Sequence, residues 1–233
     1  MSNDNNKTTI IIPTDVDPVY ATIEVTSALL AVLENSLVIV LFVRDRSLRS
    51  VKNYYVISLA TADLLVGLVG IPSALAVSVG LPRNFHVCLL MTSLLLLLCT
   101  GSIMSLVAVT VDRFWAIVLP LAYPSIMTPT RARTFIFIAW LVATVVGLLP
   151  TLGWNRGMPP EPRCFFTEVT HPGYLVFIYF ATIVAPSLFM ALIYIFIYRT
   201  VKLQVHVFQQ PSICETILVH STTLANVYVD LTT

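Results

Sequence analysis

The chain has 233 residues, of which 57% are hydrophobic and 11% are charged, and its net charge is +1. Soluble domains carry about 25% charged residues, so this composition excludes an ordinary soluble domain and indicates a polytopic membrane protein. The near-neutral balance supplies no basic surface for nucleic acid, and we expect no nucleic-acid partner.

The N-terminal segment, residues 1–18, is polar and acidic. It lacks the basic region and cleavage site of a signal peptide, so we expect the first membrane span to act as the insertion signal. Asn6 begins an Asn-Lys-Thr triplet, which predicts a glycosylation site if this segment is extracellular.

Apolar stretches long enough to cross a bilayer occur five times and predict an all-α membrane bundle. We place the helices, named spans 1 to 5, at about 20–43, 54–79, 87–118, 132–152 and 173–199. Short polar segments such as GLPRN and PPEPR join them. The bundle is therefore predicted over residues 19–203, with a divergent, non-spanning tail over residues 204–233.

The distribution of Lys and Arg predicts the orientation of the bundle. Nine of these residues fall on the side of the span 1–2 connection, and four fall on the other side. We therefore expect an extracellular N-terminus and a cytoplasmic C-terminus in a multi-pass protein of the plasma membrane.

This topology divides the four cysteines among environments. Cys88 and Cys164 fall on the extracellular side, where a disulfide persists, so we predict that they pair and pin a loop over the mouth of the bundle. Cys99 lies inside span 3 and is interpreted as an apolar filler. Cys214 lies in the tail, as a free thiol or as a palmitoylation site.

Several polar residues lie within the spans, where they need partners or water. Asn35, Asp63 and Ser102 lie on three different spans and are predicted to enclose a cation or a water cluster. Hydrogen bonding between helices is the alternative interpretation. Glu34 precedes Asn35, deep in span 1, and no basic residue in any span is an obvious partner for it.

Asp112 and Arg113 are adjacent near the end of span 3. Asp112 can restrain the Arg113 side chain, and Arg113 can swing into the bundle when that restraint is removed, which is a two-state switch. Alternatively, Arg113 extends to the lipid headgroups as an ordinary helix-end cation.

These residues belong to a larger set of ordered motifs. The set comprises Asn35, the LATAD segment with Asp63, Cys88, the DRF triplet at 112–114, Trp140, Pro186 and Tyr194. In order and spacing it resembles a rhodopsin-type (class A) G-protein-coupled receptor.

Within that class the chain most resembles adenosine receptors, over roughly residues 19–203. The segments SIMSLVAVTVDRFWAIVLPLAY and GLLPTLGWN are similar to their span 3 with its following loop and to the end of their span 4. The resemblance implies a rhodopsin-like bundle of seven helices, of which five are present here. We therefore expect a chain truncated after the fifth helix and deficient in signalling by itself.

The resemblance implies three sets of site residues. A small extracellular ligand, adenosine-like, is expected to contact Leu95, Leu96, Cys99, Thr100, Phe166, Glu168, Tyr174 and Ile178. Coupling to a heterotrimeric G protein is expected to use Asp112, Arg113, Leu121 and Tyr194. An allosteric sodium ion is expected at Asn35, Asp63 and Ser102, and no other cofactor is expected.

One departure narrows the ligand class. Leu95 stands where receptors for cationic amines carry an Asp, so a cationic amine ligand is not expected. The function predicted is therefore purinergic signalling by a receptor, not catalysis. The alternative is a truncated partner that associates with a full-length receptor, in a receptor oligomer, and modulates it.

Overall fold

A computed structural model describes residues 18–48, 50–157 and 163–208. Five of its helices are long and apolar enough to cross a membrane: Pro18–Arg44, Asn53–Ser78, Phe85–Val118, Pro129–Leu148 and Pro172–His206. They correspond to spans 1 to 5. The predicted all-α bundle with five spans is confirmed.

The helix ends follow local signals in the sequence. Span 3 starts after Asn84, whose side chain accepts hydrogen bonds from the backbone N–H groups of His86 and Val87 at 3.0 and 3.3 Å. Span 4 starts at Pro129, a residue suited to the first helical turn because it lacks an N–H group. Span 4 ends at Leu148, earlier than the predicted 152, because a turn follows at Pro150.

Two spans contain a wider π-helical turn. It covers Val66–Gly70 in span 2 and Tyr179–Val184 in span 5. Each turn ends just before a proline, Pro72 or Pro186. Proline cannot donate to the helical ladder and its ring crowds the preceding turn, which accounts for an irregular turn at these positions.

The centre of the bundle is formed by spans 2, 3 and 4. Span 1 contains no buried residue. The closest approach is between spans 3 and 4, where a Cβ added to Gly147 would lie 2.5 Å from the Leu97 Cα. Ala139, Ala143 and Gly147, spaced four residues apart, are all buried and form the small-residue face that permits this approach.

The two ends of the bundle are distinguished by their connections. At the disulfide end, residues 149–171, here called the disulfide loop, join spans 4 and 5. At the opposite end, called the DRF end after residues 112–114, residues 119–128 form loop 2 between spans 3 and 4. Loop 2 contains a short helix, Tyr123–Ile126.

Candidate functional site

Cys88 and Cys164 form a disulfide, as predicted. Both cysteines are buried, with Val77 and Val169 beside them. The backbone N–H of Cys164 also donates to the Gly80 carbonyl at 3.0 Å. The disulfide loop is therefore tied both to the start of span 3 and to the segment that follows span 2.

A cavity of about 440 Å³ lies under this loop. Its lining includes four of the residues expected to contact a ligand: Leu95, Leu96, Cys99 and Phe166. Spans 2 and 3 form its walls, and Phe166 is partly buried against the cluster around the disulfide. The cavity is mainly apolar, as most small-molecule sites are.

The other four expected ligand contacts are not part of this lining. Thr100 is buried and donates its hydroxyl to the Leu96 carbonyl at 2.7 Å. The Tyr174 hydroxyl donates to the Val146 carbonyl at 3.0 Å, and Tyr174 packs edge-on against Trp154. Ile178 is buried in span 5, and Glu168 is exposed at the surface.

Sequence reasoning missed Thr92 as a lining residue. Thr92 is 1% exposed, and within the described part of the chain its hydroxyl oxygen has no hydrogen-bond partner. It lies one helical turn after Cys88, a spacing that could have indicated a position facing the loop. Phe165 and Thr167 flank Phe166 and also line the cavity, as does Tyr20 of span 1.

Two of the three residues expected at the polar site are in contact. The Ser102 hydroxyl donates to Asp63 Oδ1, so spans 2 and 3 are joined at mid-membrane. Asn35 instead donates its side-chain amide to the Ala31 carbonyl of its own helix at 2.8 Å. Oxygen atoms of Asp63 and Ser102 suit a hard cation, and the hydrogen bond to Ala31 uses only the nitrogen of the Asn35 amide, not its oxygen.

A second polar contact joins three spans. The Trp140 Nε1–H donates to Ser58 Oγ at 3.1 Å, and Ser58 Oγ lies 3.3 Å from Ser105 Oγ. The three residues belong to spans 4, 2 and 3. Ser58 and Ser105 are buried, so this chain of hydrogen bonds fixes the positions of the three helices relative to each other.

At the DRF end, Asp112 is 1% exposed and accepts a hydrogen bond from the Tyr123 hydroxyl at 2.7 Å. The other carboxyl oxygen, Oδ2, has no hydrogen-bond partner among the described residues. Burial and the hydrogen bond to Asp112 raise the pKa of Tyr123 above its ordinary value. Tyr123 therefore remains a protonated donor at physiological pH and attaches loop 2 to span 3.

The remaining coupling residues are dispersed around this contact. Arg113 is half-buried and, within the described residues, forms no ion pair with Asp112. Tyr194 lies on span 5 with half of its surface exposed, and Leu121 projects from loop 2 with 98% of its surface exposed. The Phe114 and Phe196 rings, 5.7 Å apart, connect spans 3 and 5 nearby.

Loop 2 is also held by an apolar cluster. Met127 is buried, and its sulfur accepts a hydrogen bond from the Tyr55 hydroxyl at 3.1 Å. Ala132 is buried in the same cluster, and Trp115 packs against it. Leu121 is thus the exposed tip of a loop whose two sides are anchored.

Some predictions lie outside the described residues, namely the Asn6 glycosylation site, the thiol of Cys214 and most of the tail. Cys99 is a free, half-buried thiol in span 3. In residues 18–48, 50–157 and 163–208, no group of three or more His, Cys, Asp or Glu residues could hold a metal ion.

A helical bundle with a disulfide-covered cavity at one end and adjacent Asp and Arg residues at the other, the Asp buried, is typical of one receptor class. Residues 34–226 match the family described as "7 transmembrane receptor (rhodopsin family)". The chain belongs to this family, whose members are receptors, and it is a multi-pass membrane protein. The matched range extends into the predicted tail.

Adenosine receptors are among the most similar relatives. The chain is 38% identical to adenosine receptor A2a of Homo sapiens over 200 residues, covering 80% of this chain and 48% of the relative. It is 35% identical to adenosine receptor A2b of Gallus gallus over 207 residues, covering 80% and 61% respectively. The chain therefore spans about half to three-fifths of the length of these relatives.

Proposed function

We propose that the chain carries the ligand pocket and part of the G-protein-facing surface of an adenosine-type receptor of the plasma membrane. The observation that carries this proposal is the cavity of about 440 Å³ beneath Phe166 and the disulfide loop. In the proposed orientation the disulfide end is extracellular and the DRF end cytoplasmic. The excess of Lys and Arg at the DRF end supports this orientation.

The chemistry of the cavity suits a planar, uncharged heterocycle such as a nucleoside base. Phe166 offers an aromatic face for stacking, and Leu95 and Leu96 form an apolar wall. The buried Thr92 hydroxyl is available as a polar contact. Among the described residues that line the cavity none is an Asp or a Glu, so a cationic amine would have no carboxylate in direct contact there.

We propose that ligand binding in the cavity changes how firmly loop 2 is attached to span 3. The Tyr123–Asp112 hydrogen bond holds loop 2 against span 3, and Leu121 stands at the tip for contact with a G protein. Arg113, not paired with Asp112, is available to reorient. A ligand in the cavity shifts this equilibrium only by the difference between its affinities for the two states.

An allosteric sodium ion is proposed at Asp63 and Ser102, whose oxygen atoms meet between spans 2 and 3. A carboxylate and a hydroxyl are ligands that a hard cation accepts. The bound ion would supply positive charge beside Asp63, and it would stabilise the packing of the two spans that share it.

Photolabelling tests the proposed ligand site. We expect a photoreactive adenosine analogue to label the chain in membranes, with competition by unlabelled adenosine. Phe166→Ala should lower labelling about tenfold by removing the stacking surface, whereas Phe137→Ala, an exposed ring on span 4, should leave it unchanged. Equal labelling of the two variants would contradict the assignment of Phe166.

A cAMP assay tests coupling by the 233 residues expressed alone. We expect no agonist-dependent change, because the chain spans only about half of a complete relative. A robust response would overturn this expectation.

A second function, association with a full-length receptor, is favoured by the exposed faces of the outer spans. Span 1 has no buried residue, and the Glu34 side chain in the middle of this helix is exposed. A carboxyl group directed toward lipid is costly, so a polar helix partner would stabilise it. Co-expression with a full-length adenosine receptor should lower that receptor's surface level, and Glu34→Leu should weaken the effect. An unchanged surface level would exclude this function.

A further inference from the structure

An apolar groove of about 200 Å³ lies between spans 3 and 4 at the DRF end. Val107 and Val111 form one wall, Phe135 and Ile138 form the other, and Met127 of loop 2 lies at the groove's end. Phe135 and Ile138 are 52% and 47% exposed, so the groove opens sideways, toward the bilayer. It is separate from the cavity beneath the disulfide loop.

Arg131 precedes Phe135, the first groove-lining residue of span 4, by about one helical turn. Residues 131, 135 and 138 follow the spacing that places side chains on one face of a helix. The Arg131 side chain is exposed and donates from Nη1 to the Ile126 carbonyl at 2.9 Å, beside Met127. Within the described part of the chain, its Nε and Nη2 atoms have no hydrogen-bond partner. A positive charge with free donors thus stands where the apolar groove ends.

We propose that this groove binds an anionic phospholipid, with an acyl chain between spans 3 and 4 and the phosphate on Arg131. The groove is smaller than the roughly 300–1,000 Å³ of sites for drug-sized molecules, and its opening faces lipid. Guanidinium groups form strong, geometrically specific hydrogen bonds with phosphate oxygens. The proposal rests on the proposed orientation, since anionic lipids are concentrated in the cytoplasmic leaflet.

Binding would have a direct effect on loop 2. The acyl chain covers Met127, and Tyr123, which donates to Asp112, packs against the apolar cluster that contains Met127. The phosphate neutralises Arg131, which already holds the end of the short loop helix through the Ile126 carbonyl. The lipid therefore stabilises loop 2 in its attached position.

Native mass spectrometry of the full chain tests the proposal. The chain is released from nanodiscs of phosphatidylcholine alone or of phosphatidylcholine with phosphatidylserine, and the lipids that remain bound are counted. We expect wild type to retain phosphatidylserine preferentially. Arg131→Gln should lower the apparent affinity about fivefold, as expected for loss of one basic contact, and Arg131→Lys should restore most of it.

Two matched pairs of variants distinguish binding at this groove from the general effects of losing a positive charge or adding a large exposed side chain. Arg44→Gln removes the same charge at the end of span 1 and should leave phosphatidylserine retention unchanged. Ile138→Trp fills the open side of the groove and should lower retention, whereas Val145→Trp, on a similarly exposed position two turns away, should not.

Three outcomes would overturn the proposal: equal retention of the two lipids by wild type, equal losses for Arg131→Gln and Arg44→Gln, or displacement of the bound lipid by free oleate with no preference for phosphatidylserine. Lipid retention in nanodiscs, which expose both leaflets, does not depend on orientation in cells. Glycan mapping of introduced sequons reports the orientation separately, so failure of one proposal is distinguishable from failure of the other.

Discussion

Tyr123 supports Asp112, the most deeply buried acidic group in the described part of the chain. The Asp112 carboxyl group has one described hydrogen bond, from the Tyr123 hydroxyl at 2.7 Å, and its other oxygen has none. Because the pKa of Tyr123 is higher in the folded protein than in the unfolded chain, its protonated hydroxyl contributes to the free energy of unfolding. This contribution is fully present below the ordinary tyrosine pKa of about 10 and is lost as pH rises through the higher folded-state pKa. This contact is therefore constant across the physiological pH range.

Tyr123→Phe should destabilise the bundle, because it leaves both Asp112 oxygens without a described partner. We expect a loss of about 1–3 kcal/mol in the free energy of unfolding, the usual penalty for an unsatisfied buried group. Thermal unfolding in detergent measures it. Tyr198→Phe, on the exposed face of span 5, is the control and should change little. Equal unfolding temperatures for Tyr123→Phe and wild type would show that the hydrogen bond is dispensable.

For individual residues, the sequence identifies the candidate site residues better than it identifies their hydrogen-bond partners. Asp112 and Arg113 are conspicuous as adjacent charges in an apolar helix, yet the observed partner of Asp112 is Tyr123. That tyrosine lies 11 positions along the chain, in loop 2, and no helical periodicity connects the two. Similarly, the sequence does not indicate that the Asn35 amide nitrogen donates to the Ala31 carbonyl of its own helix.

Among the elements, spans 3 and 4 pack most closely, and glycine is required at their contact. A Cβ at position 147 would lie within 2.6 Å of the Leu97 backbone nitrogen, so even alanine needs a helix to shift. Without a hydrophobic effect between helices in lipid, such close backbone contact and its dispersion energy are a main source of association.

Gly147→Leu should separate spans 3 and 4 and lower the free energy of unfolding by about 1–3 kcal/mol, the range found for overpacked sites. The measurement is unfolding in detergent monitored by the accessibility of the Cys99 thiol, which lies in span 3. Val145→Leu adds a methylene two residues earlier on an exposed surface and serves as the control. If both variants unfold like wild type, the close approach contributes nothing to stability.

Hydropathy alone predicts the number and position of the spans because a bilayer imposes length and apolarity on each helix. It does not predict the π-helical turns, which depend on how each helix accommodates Pro72 and Pro186. It also places the end of span 5 at 199, whereas the helix continues to Phe208. Polar helical residues beyond the membrane boundary carry no hydropathy signal.

At the scale of the whole molecule, the disulfide loop covers the cavity between the ends of the spans. It closes a cavity whose other walls come from spans 2 and 3, and it is held by Cys88–Cys164 and by the contact between Cys164 and Gly80. The pairing was predictable because both cysteines fall on one side of the membrane. The course of the loop over the cavity was not, since it depends on long-range packing.

Cys164→Ser should destabilise the protein and should also detach the disulfide loop from its position over the cavity. We expect a loss of about 2–5 kcal/mol in stability, typical for a native disulfide, together with loss of adenosine-analogue labelling. Cys99→Ala, which removes an unpaired cysteine, is the control for stability. Retained labelling in Cys164→Ser would mean that packing of the loop holds it in place without the covalent bond.

The hydrogen-bonded chain through Ser58, Ser105 and Trp140 bears on the order of biosynthesis. Its three helices are consecutive in the polypeptide, so each contact can form as soon as span 4 leaves the ribosome and enters the bilayer. Span 1, which has no buried residue, takes no part in this chain of hydrogen bonds. Spans 2 to 4 thus form a compact assembly unit onto which span 5 docks after its synthesis.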